Sequence, residues 1–144
     1  MRIEPYSDLY YLDVMKLVEN FHKEAVGEYL GLFDPDAVIE TIKRFNQNAF
    51  LMIVDDACQG IFAGMECPSL VTKNRVFQEI IWYVNKPYRR HGIALLKNAE
   101  KSLKEAGVSI MIMAVLENSK AEKIKSFYQR LGYRPMEAHY VRNL

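Results

Sequence analysis

The residues best suited to chemistry form one basic turn, Arg89-Arg90-His91-Gly92-Ile93-Ala94, with Lys86 just before it. Arg89, Arg90 and Lys86 supply full positive charge, while Gly92 and Ala94 supply almost no side-chain bulk. If this turn opens a helix, its first backbone N–H groups are unpaired and carry partial positive charge. An anion could then approach that backbone closely. The combination reads as a pyrophosphate cradle, built from the amides of Arg90, His91, Gly92, Ile93, Ala94 and Leu95. His91 could add a side-chain donor, although its amide would serve with any side chain. The plainer alternative is an ordinary turn with solvated arginines. A P-loop is excluded, because G-x-x-x-x-G-K-S/T does not occur.

The flanking stretches supply the elements that would hold this turn. Ile80-Ile81-Trp82-Tyr83-Val84 is apolar, β-branched and aromatic, as a buried strand is. Pro87 stops it, having no donor for a ladder. From His91 the period changes: Ala94, Leu95, Ala99, Leu103 and Ala106 follow helical spacing. Gly107 suits the position just past the helix end. Val108 to Leu116 then reads as a fully buried strand, which makes Ile80–Leu116 a strand-helix-strand unit with parallel strands.

Arg89, Gly92 and Ala94 match the fixed positions of Q/R-x-x-G-x-G/A, the cofactor motif of the GNAT superfamily of N-acetyltransferases, which this stretch resembles. Val84-Asn85-Lys86-Pro87-Tyr88 resembles its usual lead-in, and Phe127-Tyr128-Gln129-Arg130-Leu131-Gly132-Tyr133 resembles its ending Y-x-x-x-G-F/Y. The resemblance implies one α/β domain over residues 1–144, with a mixed central sheet of six or seven strands and helices on both faces. It implies transfer of an acetyl group from acetyl-CoA, as co-substrate, to a primary amine by direct attack in a ternary complex. Backbone groups of Trp82 and Val84 would bind the pantetheine arm, and the Val84 amide could polarise the thioester carbonyl. Tyr128 could protonate the departing thiolate, or be a half-buried helix residue with its hydroxyl in water. Trp82 and Tyr83 can also be read simply as core packing.

Two positions depart from the family pattern. One branch carries a Glu on the fourth strand where this chain has Gln78. Glu79, its neighbour, could take the amine proton, or pair with Arg75 or Lys73 as a sheet carboxylate. By alternation it faces the other side of the sheet unless a bulge intervenes. Many members also have an Asn seven residues before the Tyr, whereas Asn118 lies ten before Tyr128, about one turn too far.

Upstream, Arg2 to Tyr6 reads as a first strand, and Ser7 or Asp8 as the cap of a helix from about Leu9 to Ala25. Gly27–Phe33 reads as a loop. Asp34-Pro35 opens a second helix with Val38, Ile42 and Phe45 on its buried stripe. Phe50–Val54 and Gln59–Glu66 form a hairpin, and Arg75–Val84 is the fourth strand. Asn118-Ser119 caps a helix to about Leu131. Tyr133-Arg134-Pro135 is predicted to start a sixth strand, and His139–Arg142 to form a seventh.

Composition narrows the alternatives. Half the residues are hydrophobic, which suits one globular domain. Residues 1–60 carry a net charge of −6 and residues 61–144 a net of +7. The basic half suits an anionic cofactor, and the acidic half, with Glu24, Glu28 and Asp34, a cationic amine. Lys97, Lys101 and Lys104 line one helix face as solvated surface, so nucleic acid is not the expected partner. Cys58 and Cys67 form no framework, and three scattered His supply no zinc cluster; no metal is expected. Met1–Pro5 lacks a signal-peptide core, and Ile110–Leu116 is too short to cross a bilayer. A cytoplasmic location is therefore expected, with no membrane partner, and a homodimer is compatible with the sequence. The alternative function is a non-catalytic CoA-binding GNAT-like sensor or interaction domain. It gains weight if the strand-four base and Tyr128 are both unusable.

Overall fold

Alternating and continuous apolar runs set the central sheet, which we describe from a computed structural model covering residues 1–45, 48–118 and 120–144. The side chain of Phe45, expected on a buried stripe, and Ser119, expected as a cap, lie outside the described residues. Strand β1 spans Arg2–Pro5, β2 Ala49–Val54, β3 Ala57–Pro68, β4 Arg75–Val84 and β5 Ile110–Ile112. They lie in the order β1-β2-β3-β4-β5, antiparallel except for the parallel pair β4–β5. The β2–β3 hairpin turns on Asp55 and Asp56, at φ 50° and 60°. Two central residues with positive φ suit the twist of a tight hairpin, and Asp tolerates that region better than most.

Helix α1 spans Tyr11–Phe21, and a π-helical turn over His22–Val26 joins it to the short α2, Gly27–Leu30. The helical path thus runs past the expected end at Ala25, and Gly27 is helical instead of opening a loop. Gly31, at φ +91°, ends it; His22 Nε2 lies 2.7 Å from the Gly31 carbonyl. Helix α3, Pro35–Phe45, starts as expected, with Asp34 Oδ1 accepting from the Asp36 amide at 3.0 Å. Helices α4 and α5 span Gly92–Glu105 and Ala121–Arg130.

The two sheet faces carry separate cores. Val14 and Leu17 of α1 pack on Leu51, Ile61, Ala63, Ile81 and Tyr83. Leu95, Leu96, Ala99 and Leu103 of α4 pack on Met52, Phe62, Phe77 and Val84 on the opposite face, with Phe127 and Leu131 against that cluster. Each fully buried side chain of this size contributes roughly 1.5–3 kcal/mol of transfer free energy.

Among the described residues the sheet has five strands, a correction to the expected six or seven. The fifth strand is also shorter than expected: β5 pairs with β4 only over Val76–Gln78 and Ile110–Ile112. Residues 133–144 form no ladder, and residues 134–144 are all exposed. Pro135 has no amide to donate there. The predicted sixth and seventh strands thus join no ladder among the described residues.

Candidate active site

The β4–β5 pair opens just where β4 changes phase. Gly64 is opposite Glu79, but the preceding Ala63 is opposite Ile81, so Ile80 is an extra residue on β4. A bulge of this kind resets the alternation of faces. Phe77 and Glu79 lie on the α4 side below it; Trp82 and Val84 take that side above it, while Ile81 and Tyr83 face α1. Gly64 permits the bulge: a Cβ there would stand 2.1 Å from the Gln78 carbonyl oxygen. A lone Gly inside a strand pattern is the sequence signal that could have located it.

Beyond Ile112 the chain parts from β4, and side chains replace the ladder. Glu79 Oε2 accepts from the Ala114 amide at 3.0 Å, and the Tyr128 hydroxyl donates to the Ala114 carbonyl at 3.1 Å. The two candidate catalytic residues, 49 positions apart in the chain, thus meet on one alanine that the sequence did not single out. Glu79 is 7% exposed, and it pairs with neither Arg75 nor Lys73: Arg75 is engaged by Glu66. Burial pushes the Glu79 carboxyl up to about 7, against a smaller downward pull from the Ala114 amide. Burial, and then the nearby Glu79 charge, raise the Tyr128 hydroxyl well above its ordinary value. That hydroxyl therefore stays protonated at neutral pH.

Tyr128 is aimed by its helix end. The Tyr133 amide donates to the Tyr128 carbonyl at 2.9 Å and the Gly132 amide to the Gln129 carbonyl at 3.0 Å, with Gly132 at φ +92°. This is the Schellman pattern, whose left-handed residue favours glycine and whose flanking residues pack together. Tyr128 and Tyr133 do so, with ring centroids 5.6 Å apart. The ending Y-x-x-x-G-Y is thus a helix stop that fixes the Tyr128 ring. Trp82 stacks on Phe127 and Tyr128 at 5.9 and 6.2 Å, so its ring braces α5 against β4.

Backbone direction above the bulge follows from one bond. The Asn85 amide donates to the Gln59 carbonyl at 2.9 Å, so Asn85 and Tyr83 turn their polar groups toward β3. By alternation Trp82 and Val84 turn theirs toward the side where β5 has departed. An extended amide chain could add there as a strand. The Val84 carbonyl already accepts from Arg89 Nε at 3.1 Å, which leaves the Val84 amide and the Trp82 groups. Trp82 Nε1 is a buried donor with no acceptor among the described residues.

The basic turn is arranged less simply than the sequence suggests. Lys86–His91 forms a 3-10 turn leading straight into α4, and the Gly92 amide is bonded to the Arg89 carbonyl. Gly92 is buried, and a Cβ there would lie 3.6 Å from Trp82 and Val84, facing the core instead of an approaching anion. Its small size seats α4 against β4. Leu95 is fully buried, whereas Ile93 is 46% exposed and Ala94 is exposed. Arg89 is turned away toward α1's extension: Nη2 lies 2.6 Å from Glu24 Oε2, and its guanidinium stands 5.6 Å from the Tyr83 ring centroid. Arg90 and His91 touch each other at 3.1 Å, and Arg90 has no carboxylate partner among the described residues. Arg90 is the cation most available to a phosphate.

On the α1 side, Glu24, Gln59, Tyr83, Asn85, Pro87 and Tyr88 are among the residues that line an open cleft of about 330 Å³. An apolar cavity of about 130 Å³ lies between α1, α3 and the bulge residue Ile80. The acidic residues expected to attract an amine are largely committed. Burial alone would raise the Glu24 carboxyl, but bonds from Arg89 and Tyr83 and the charges of Arg89 and Lys86 hold it below its ordinary value. Asp34 caps α3. Asn118 Oδ1 accepts from the Lys120 amide at 2.9 Å, so that oxygen serves the entry to α5. No cluster of three or more metal-ligating side chains occurs among the described residues.

The comparisons with known proteins agree with this architecture. The sequence profile of the acetyltransferase (GNAT) domain matches residues 17–144. A ribosomal-protein-alanine N-acetyltransferase from Brucella melitensis biovar Abortus 2308 is similar in structure, with a TM-score of 0.76 at 17% identity over 99% of this chain and 98% of that one. An aminoglycoside antibiotic 6′-N-acetyltransferase from Acinetobacter haemolyticus gives 0.71 at 15% identity, over 100% and 99%. A transcriptional regulator from Bacillus halodurans C-125 gives 0.73 at 14% identity, over 99% of both chains. None of the curated protein sequences matches the chain. At such identities the structures testify to the fold alone.

Proposed function

The chain belongs to the GNAT acetyltransferase family, and on that footing we propose that it transfers an acetyl group from acetyl-CoA to a primary amine by direct attack in a ternary complex. The observation that carries this reading is the meeting of Glu79 and Tyr128 on Ala114, at the point where β4 and β5 part. A base with a pKa near neutrality and an acid that stays protonated are the two groups that aminolysis of a thioester requires.

The open backbone edge of Trp82 and Val84 suits the amides of the pantetheine arm. Arg90, with the exposed start of α4 at His91, Ile93 and Ala94, suits the pyrophosphate; Gly92 and Leu95 support that start from beneath, and Arg89 holds it against Glu24. Glu79 takes a proton from the amine, directly or through one water. The amine nitrogen bonds to the acetyl carbon, and the carbon–sulfur bond breaks. The Val84 amide donates to the carbonyl oxygen as it gains charge. Tyr128 gives its proton to the sulfur, leaving the Ala114 carbonyl to do so, and recovers one from solvent as Glu79 releases its own. Cys58 is buried, and burial raises its thiol to about 12, which does not suit an acyl-cysteine route.

One structural neighbour is named for a ribosomal-protein alanine and another for an aminoglycoside; both fall within the amine class proposed here, and neither is preferred. A non-catalytic CoA-binding role would gain support from the loss of both the strand-four base and a working Tyr128, and both side chains are present. No helix among the described residues is long and apolar enough to cross a membrane, and both cysteines are free; a cytoplasmic setting accords with the reading. The experiment is free-thiol release from acetyl-CoA across a panel of peptide N-termini, lysine peptides, polyamines, aminoglycosides and small amines. Release that depends on an added amine supports the proposal, and its absence with every amine rejects it.

A further inference from the structure

Helix α3 carries the apolar stripe expected of it but does not close fully on the sheet. Val38 and Ile42 are only half-buried, and no residue of α3 is fully buried among the described residues. Beneath the helix lies the apolar cavity of about 130 Å³, walled by Val18 and Phe21 of α1, Val38 and Ile42 of α3, and Ile80 and Ile81 of β4. None of the described residues that line it is charged. Two carry hydroxyls. That of Thr41 donates to the Ala37 carbonyl at 2.9 Å. That of Tyr6 is buried without a partner among the described residues, with Asp8 nearby but out of bonding geometry.

The size and place of this cavity suggest its use. A cavity of roughly 150 Å³ with aliphatic and aromatic walls excludes water and takes up benzene. Ile80 and Ile81 directly follow Glu79 on β4, and strand residues advance only about 3.3 Å each. Ile80 is the bulge residue and is 44% exposed. It stands just past Gln78, the last β4 residue paired with β5. The rim of the cavity therefore lies beside the opening that holds the Glu79 carboxyl. Glu24 and Asp34, two of the carboxylates expected to draw an amine, are engaged by Arg89 and by the start of α3. Apolar contact is what this side of the sheet offers an acceptor.

From these observations we infer that the acceptor is a primary amine bearing an uncharged apolar group of about benzene size, which seats in the cavity under α3 while the nitrogen stays at the rim by Glu79. The inference rests on the acetyl-transfer reading and names the class of its acceptor. A protonated amine would find no counter-charge inside the cavity, so the apolar end is the one that enters. Seating that end holds the nitrogen at the opening, where the reacting atoms meet. The bonds made and broken are those already given: nitrogen replaces sulfur on the acetyl carbon, Glu79 takes the proton that nitrogen loses, and Tyr128 gives one to sulfur. The guest also supplies the α3 stripe with contacts it lacks.

Two measurements test this. Isothermal titration without acetyl-CoA compares phenylethylamine with ethylamine. Phenylethylamine should bind at least about tenfold more tightly. The gain should vanish in Val18→Phe and in Val38→Phe, which fill the cavity from two different helices; thermal melts check that both fold. Thiol release from acetyl-CoA is then followed for straight-chain amines from ethylamine to octylamine. In wild type kcat/KM should rise about fourfold per methylene until the cavity is full. In the two variants it should stay nearly flat, with ethylamine turned over as in wild type. The wild-type series is decisive even if a variant fails to fold. Equal affinity for the two amines, a gain that survives both variants, or turnover indifferent to chain length would each overturn the inference. Tighter binding of phenylethylamine with no thiol release from any amine would support the apolar seat and reject acetyl transfer instead.

Discussion

At the scale of single residues, the proposed chemistry rests on one carboxyl at Glu79 and one hydroxyl at Tyr128. With its carboxyl pushed up to about 7, Glu79 is mostly neutral below that pH and charged above it. Activity through Glu79 should therefore rise with pH through about 7 in kcat/KM. Glu79→Gln should flatten that limb and lower kcat by roughly 10²–10⁴-fold. Stability should move the other way. Between the ordinary carboxyl value of 4.5 and about 7, the folded state holds a proton that the unfolded state has lost, so stability falls as pH rises across that window. The loss is of the order of 3 kcal/mol at most, and urea melts of wild type at pH 5 and pH 8 should show it while those of Glu79→Gln do not. Tyr128→Phe keeps the ring stack and removes the hydroxyl; steady-state kinetics should show kcat reduced by roughly 10²–10⁴-fold with acetyl-CoA affinity little changed. Arg90→Ala should weaken acetyl-CoA in isothermal titration and reduce the salt dependence of binding. Tyr128 could be found in the sequence because its helix stop is local: Gly132 and Tyr133 follow it within five residues. The direction of Glu79 could not, because it depends on a register shift across to β3.

At the level of elements, the bulge at Ile80 and the early end of β5 position the site. Gly64 makes the bulge possible, so Gly64→Ala should force the Gln78 carbonyl away and cost roughly 1–3 kcal/mol, as overpacking does. Thermal melts would measure that loss, and activity should fall more than the folded fraction does, since Glu79 is opposite Gly64. Gly92 differs. An added methyl would meet Trp82 and Val84 at ordinary contact, so Gly92→Ala should keep both fold and acetyl-CoA binding in the same titration, whereas a longer side chain would push α4 from β4. The turn chemistry behind α3, the β2–β3 hairpin and the ends of α4 and α5 was legible, because caps and left-handed residues act within a few positions. The helical run through Gly27 was not, since a π-helical turn held by His22 overrides the glycine's tendency to end a helix. Nor was the length of β5: Ile110–Leu116 is apolar throughout, and only the departure of β4 decides where pairing stops.

For the whole molecule, the order of elements followed from periodicity and the helices on both faces from the family resemblance, while the strand count followed from neither. Residues 133–144 hold the predicted sixth and seventh strands but join no ladder among the described residues. The acidic N-terminal half, read as a lure for a cationic amine, is partly spent on structure, through Glu24 on Arg89 and Asp34 on α3. Steering by long-range charge should accordingly be modest, and KM for the best amine should change little between low and physiological salt. The most direct test of the central claim is the initial rate of thiol release from acetyl-CoA, with and without amine, on wild type and Tyr128→Phe side by side. Wild type should release thiol in an amine-dependent way, and the variant at least a hundredfold less. Equal rates from the two proteins, or wild-type release indifferent to amine, would contradict it.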